Sequence, residues 1–598
     1  MKALLRASAM VVIMSQAPLF LATPAQATQV QAKPVATASP DARFVALYTA
    51  EYKWRNDQTP PDEDTPKSAA PAHLPHVDEA TQQKKLAYWQ DVEKKLLAID
   101  PKTLSKAHAE DYAVYRFQIE TLIQDQVFKT YQRPLSGDTS FWGDLSDMAK
   151  GPFHNEAGYR NYLSQLADFP RYFQENTDNM RAGLKRGFTL PKVVLQGRDA
   201  TIVSAITDTP EANPYYAPFK TMPATLPADV QTRLRAEAVA VIRDKVIPAH
   251  KAVLAFMRDE YVPGAVTSLA AYDLPDGKAF YRSQIIEYTT LDLPPEKIHQ
   301  LGLDEVAKLK AEMQAVMDQV GFKGDLKAFN TFLRTDPQFY AKTPQELLNR
   351  AAWIAKTFDG KAADYFGRLP RQRFGIYPVA PDLAPFYTGG RGGPGVYYVN
   401  TYNLPSRPLY TIPALTLHES APGHAMQMPL AAENTALPQF RRDGYISAYG
   451  EGWALYCERL GDEMGIYTSP YDKFGMLTYQ MWRAARLVVD TGIHSQGWTR
   501  EQAQAYLLDN TALSEHEVTT EVDRYIAWPG QALSYYLGEM DIWANRARAE
   551  KALGEKFDIR AFHDSVLETG SVPLPVLDAH IDAFIAGGGK SPYADSKN

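Results

Sequence analysis

The sequence predicts a mainly α-helical protein with one small antiparallel sheet, whose edge strand directly precedes a motif-bearing helix. Three observations carry this expectation. From about Asp78 onward, long segments in which apolar residues recur every three or four positions dominate the chain. Strand-like runs are few and lie together between Gln372 and Tyr402. Immediately after them comes "LHESAPGHAMQ" (417–427), with a His-Glu pair and a second histidine two places later than an i,i+4 helical face requires.

The N-terminal stretch "MKALLRASAMVVIMSQAPLFLATPAQA" has Lys2 and Arg6 early, an apolar run from Ala7 to Ala22, and a small-x-small ending at Ala25-Gln26-Ala27. It has the pattern of a secretory signal peptide with cleavage after Ala27. No later stretch reaches the roughly 18 apolar residues that span a bilayer, so a periplasmic or secreted location is expected. Residues 28–40 are expected to be a linker, and 59–75, rich in proline, an exposed loop. The remainder, 41–598, is expected to be a helical domain, with two lobes around a central groove. The one cysteine, Cys457, excludes an intrachain disulfide and lies in an apolar helical run, where a small buried residue is the better reading. Apolar residues make up 45% and charged residues 22%, and the net charge of -7 is spread without a basic stripe. That balance argues against a nucleic-acid partner.

Helices are expected over 78–99, 228–261 and 295–320. The last opens on Pro294-Pro295, which a first helical turn tolerates. Pro248 is expected to kink or divide the second. The strand signals are "QRFGIYPV" (372–379) and "GVYYVNTY" (395–402), the latter following a glycine-rich loop, "TGGRGGPG". A strand at that position offers its edge to an extended peptide backbone, and Tyr398 on it is a candidate substrate contact.

On an ideal helix six residues turn by about 600°, so His424 would miss His418 by about 120°. The residues between them supply a correction. Pro422 lacks the N–H that would bond back to His418, Ala421 precedes a proline, and Gly423 tolerates unusual backbone angles. A break after Ser420 and a restart with Pro422 in a first-turn position would swing His424 back. In "GEGWALYCERLGDEMG" (450–465), Glu451 and Glu458 are seven apart and share a helical face. Glu451 suits a third metal ligand, which would leave a fourth position for water. Glu458 or Asp462 could hold a histidine N–H from behind. Farther on, "RAARLVVDTGIHSQGW" (483–498) carries His494, and "EVDRYIAWPGQALSYYLG" (521–538) carries Arg524, Tyr525 and Tyr535. His494, Tyr525 and Tyr535 are of the types that stabilise an oxyanion, and each equally suits a structural role.

Taken in order, "YYVNTYNLPSRPLYTIPALTLHESAPGHAMQ", "EGWALYCERL", "RLVVDTGIH" and "RYIAWPGQALSYYLG" resemble the bacterial family catalogued as domain of unknown function eight-eight-five, itself similar to the gluzincin zinc metallopeptidases. The resemblance reaches upstream through 274–306. It implies a helical metallopeptidase-like fold, His418, His424 and Glu451 as ligands to one Zn2+ per chain, and Glu419 as general base. The family's own Pro-Gly insertion accounts for the late His424. His494 and Tyr525 fall where related helical peptidases carry oxyanion donors. "GQALSYY" looks like the tyrosine-bearing helix of thimet-type oligopeptidases, which points to Tyr535. Arg524 is a candidate partner for a substrate carboxylate through bidentate pairing. The expected function is an exported zinc metallopeptidase acting on short peptides. A zinc amide hydrolase of cell-wall fragments and a non-catalytic peptide-binding protein on the same fold are the alternatives.

Overall fold

Ser469 accepts a hydrogen bond from the Asp472 N–H and Pro470 takes the first helical position, so the long helix Pro470–Gln496 begins there. Ser514 and Glu517 form a reciprocal capping box that starts Glu515–Ala527. These local signals place His494, Arg524 and Tyr525 on helices. The structure, a computed structural model, describes residues 38–58, 71–136, 139–150, 153–381 and 384–593. The signal-like segment 1–27, linker residues 28–37 and residues 59–70 of the proline-rich stretch lie outside the described residues.

Helices make up most of what is described. The first is Pro40–Asp57, so helix begins at the residue expected to close the linker. The segment expected to kink or divide at Pro248 is not divided there: helix continues from Ala228 to Gly264. Two π turns, Ile242–Val246 and Met257–Tyr261, stand just ahead of Pro248 and Pro263. A π turn widens the hydrogen-bonded ring by one residue, which moves the carbonyl a proline ring would strike and removes the need for its missing N–H.

The sheet has three strands, β1 (Gly375–Pro378), β2 (Gly390–Gly393) and β3 (Val396–Val399), in the order β1-β3-β2. β1 runs parallel to β3 and β2 antiparallel to it, so the sheet is mixed rather than wholly antiparallel. The strand expected at the edge, β3, is central. The glycine-rich run expected to be a loop supplies the edge strand β2. The reason is the turn: Gly393 pairs with Val396 across Pro394-Gly395, and Gly395 has φ +83, a conformation that glycine adopts without cost.

Buried apolar side chains form three clusters, and the short helix Ile412–Glu419 touches all of them. Ala414 belongs to the largest, Leu417 to the second, and Ile412 with Leu415 to a small one under β3. The first helix docks far along the chain: Tyr52 donates to Asp443 at 2.5 Å, and the Tyr48 ring meets that of Phe440 at 5.1 Å. Buried Arg441, between them, pairs with Asp111 at 2.8 Å. No helix among the described residues is long and apolar enough to cross a membrane.

Candidate metal centre

The His-Glu helix ends at Glu419, Ser420 to Gly423 turn, and a second helix starts at His424. The restart thus comes two residues later than a first-turn Pro422 would give. The turn is closed by Gly423 N–H donating to Leu417 O at 3.0 Å and Ala425 N–H to Ser420 O at 3.1 Å. Gly423 is pressed against the preceding helix so closely that a Cβ there would stand 1.8 Å from His418 O. Trp453 fixes the turn from the facing helix, Ser447–Glu463, donating its indole N–H to Pro422 O at 2.8 Å.

The outcome is convergence. Nε2 of His418 and Nε2 of His424 each lie 3.4 Å from the same carboxylate oxygen, Oε2 of Glu451. Their rings stand at 87° with centroids 4.9 Å apart. Two ligand atoms each about 2.1 Å from a tetrahedral ion are about 3.4 Å apart, so these separations fit one zinc-sized ion. Both histidines are buried, and His424 Nδ1 has no hydrogen-bond partner, so its ring nitrogens are not consumed by a competing network. His418 Nδ1 is held at 2.8 Å by Glu458, which is fully buried. The seven-residue spacing of Glu451 and Glu458 therefore places one carboxylate at each nitrogen of a single imidazole. Asp462, the other candidate for that role, pairs instead with Lys473 at 2.8 Å.

Burial alone would make His418 a weaker base. Glu451 and Glu458 outweigh it and hold the imidazole up at about 10. Burial would likewise raise the Glu451 carboxyl, but the two histidines hold it well below the usual carboxylate range. The cradle is thus a place where negative charge gathers around nitrogen donors, as a cation site requires.

Glu419, next to His418, accepts the Gly392 N–H of β2 at 2.6 Å. A Cβ on Gly392 would fall 1.7 Å from Glu419 O, so only glycine lets the edge strand come this close. A residue absent from the expectations also belongs here. Tyr445, partly exposed, has its ring 6.4 Å from that of His424, and its hydroxyl is made less acidic by burial, by bonding to Glu451 and by the nearby Tyr535 and Glu419. No spacing rule marks it, because it precedes the Glu451 helix in a short loop.

Two expected site residues, His494 and Tyr525, have their polar atoms engaged by other partners. His494 is fully buried; its Nδ1 accepts the Ala271 N–H at 3.2 Å and its Nε2 donates to Tyr525 O at 2.9 Å. Burial lowers it to about 4, so it is a neutral structural group with both nitrogens used. Tyr525 accepts from Trp482 and Arg486, each at 2.9 Å, and bonds Glu521, which leaves no donor for an oxyanion. Tyr398 stands on the exposed face of β3 beside Tyr377, while its neighbour Tyr397 faces inward to Thr416. Strand alternation sends the two tyrosines to opposite faces. Tyr535 is brought toward the cradle by a close helix crossing, in which a Cβ on Gly538 would lie 1.9 Å from Ala448 O. Arg524 joins it, donating to Gln531 at 2.9 Å and to the Tyr535 hydroxyl at 3.4 Å.

No curated protein matches this chain. Two solved structures are similar over nearly their whole length. One, a candidate lipoprotein from Colwellia psychrerythraea, is 25% identical with a TM-score of 0.84, covering 92% of this chain and 100% of that one. The other, a candidate lipoprotein of unknown function from Shewanella oneidensis, is 18% identical with a TM-score of 0.68, covering 91% and 99%. The family described as bacterial protein of unknown function (DUF885) matches residues 65–581. The chain belongs to that family.

Proposed function

We infer that the protein is an exported, zinc-dependent metallopeptidase, similar to the gluzincins, that hydrolyses peptide bonds in short peptides. The observation that carries this reading is the meeting of two imidazole nitrogens on one Glu451 oxygen, with Glu419 beside them bonded to the edge strand β2. His418, His424 and Glu451 would hold the ion. Zinc, when bound, supplies an acidified water and a polarised scissile carbonyl.

The chain's own residues do the rest. Glu458 takes the Nδ1–H of His418 and so presents Nε2 to the cradle. Glu419 removes the proton from the attacking water and delivers it to the departing amine nitrogen. Gly392 N–H steadies one Glu419 oxygen and leaves the other for that transfer. An extended peptide is held by strand addition along the outer edge of β2, which binds main chain without reading side chains. The Tyr445 hydroxyl bonds Glu451, and it would become the donor to the developing oxyanion when an ion takes up that carboxylate. Export is supported by the signal-like N-terminus and by the description of both similar structures as lipoproteins.

Elemental analysis together with mass-spectrometric profiling of peptide digests tests the reading. About one zinc per chain is expected, and Glu419→Gln should keep the metal while cleavage falls about 10²- to 10⁴-fold. A wild-type digest indistinguishable from that of Glu419→Gln would sink it.

A further inference from the structure

The two imidazoles of the cradle are not held alike. Behind His418, Glu458 takes the Nδ1–H at 2.8 Å. Behind His424, which is 6% exposed, Nδ1 has no hydrogen-bond partner, and no carboxylate among the described residues pairs with it. A ligating imidazole almost always donates its second N–H, which fixes the ring and raises its basicity. One ligand of this centre has its anchor; the other lacks one.

A second orphan stands three residues on. Gln427, 5% exposed, belongs to the helix that His424 opens, His424–Glu433. Both of its amide atoms, Oε1 and Nε2, are buried without a partner. A fold that needed only bulk there would be better served by an apolar side chain, because a buried amide making none of its bonds is costly.

Helix geometry brings the two orphans together. Residues three apart stand side by side, with Cβ atoms about 5–6 Å from one another. Long helical side chains lean back over the preceding turn, which for Gln427 is the turn begun by His424. The terminal torsion of a glutamine is soft, so its oxygen swings at little cost. The neighbour at the four-residue spacing, Met428, has no such oxygen.

We propose that Gln427 is the positioning residue for His424. Its Oε1 accepts the Nδ1–H, which leaves Nε2 unprotonated and turned toward Glu451. The two ligands then differ in kind, with a carboxylate behind His418 and a neutral amide behind His424. The amide fixes the ring without adding a further negative charge to Glu419, Glu451 and Glu458. This role rests on the metal-centre part of the peptidase reading.

The test reads metal affinity rather than turnover. Metal-free wild type, Gln427→Met and Gln427→Glu are titrated with Zn2+ against a competing chelator at neutral pH. Methionine keeps the length of glutamine but offers no oxygen, so Gln427→Met should bind about 10- to 100-fold more weakly. Glutamate restores the acceptor, so Gln427→Glu should bind at least as tightly as the wild type. Without metal, Gln427→Met should melt no lower than the wild type, because it removes two buried polar atoms that had no partner.

Equal zinc affinity in wild type and Gln427→Met overturns the role. So does a Gln427→Glu protein weakened as much as Gln427→Met, or a metal-free Gln427→Met protein that melts well below the wild type; either makes Gln427 a packing residue. A wild-type protein that takes up no zinc overturns the metal centre and this role with it. Equal loading of wild type and Gln427→Met, by contrast, leaves the centre standing and removes only its second anchor.

Discussion

His418 carries a proton between two carboxylates, Glu451 at one nitrogen and Glu458 at the other. Its pKa near 10 lies above the ordinary 6.5, so the metal-free stability it contributes is complete below 6.5 and is lost as pH rises through about 10. An incoming cation must expel that proton, so apparent metal affinity should rise about tenfold per pH unit from 6 to 9, measured against a competing chelator. Affinity flat with pH would remove His418 from the ligand set. Glu458→Gln should weaken metal binding by about 10- to 100-fold in the same assay, because it no longer anchors the imidazole. At this scale the sequence was informative where spacing and turn chemistry act together: Glu451 and Glu458 share a helical face, and the Pro-Gly pair lets His424 return to His418, while the reading of Glu419 came from the family resemblance. Tyr445 follows from none of these. For His494 the sequence left both roles open, because what occupies its nitrogens, a backbone amide 223 residues away and a carbonyl 31 away, leaves no trace in neighbouring letters.

Between residue and molecule, the decisive elements are the turn at Ser420–Gly423 and strand β2. Both depend on backbones approaching where no side chain fits. Gly423→Ala would drive a Cβ into His418 O and Gly392→Ala into Glu419 O. Each should destabilise the protein by about 1–3 kcal/mol, the range for forced overpacking. Denaturant unfolding measures that cost. Metal content separates the two: Gly423→Ala should lose metal, while Gly392→Ala should retain it and lose turnover. Trp453→Phe, which removes the buried bond to Pro422 O, should cost about 1–3 kcal/mol from the unsatisfied carbonyl. Helices were legible here because their apolar periodicity is local. β2 was not, since four residues that include three glycines carry no strand propensity and are ordered by their partner β3. The π turns were equally hidden: a proline announces that a helical bond is missing, but not whether the helix bends or widens.

For the molecule as a whole, buried ionisable groups oppose one another. Burial lowers His250 and His494 to about 4 and His563 to about 3. Their neutral forms are favoured in the fold, so this stability is present above 6.5 and is lost as pH falls toward those values. Burial raises Asp490 and Asp541 to about 7 and Glu539 to about 8. These carboxyls are held protonated, so their stability is complete below the ordinary values of 3.8 to 4.5 and is lost progressively as pH rises to 7 to 8. Three histidines and three carboxyls therefore offset one another up to 6.5, and thermal melts should be nearly level from pH 4.5 to 6.5 and fall from 6.5 to 9; melts that rise between 6.5 and 9 would exclude these groups as determinants. The general architecture was foreseeable from periodicity, but the meeting of three apolar clusters at one short helix was not, because it depends on contacts between distant segments. The docking of Pro40–Asp57 against Asp443 and Phe440 has a practical corollary. Those two residues stand just before Tyr445, so the first described helix acts as a wedge holding the doorway of a centre built almost four hundred positions later. Trimming the protein from its front would reach a centre far along the chain as well as the adjoining helices.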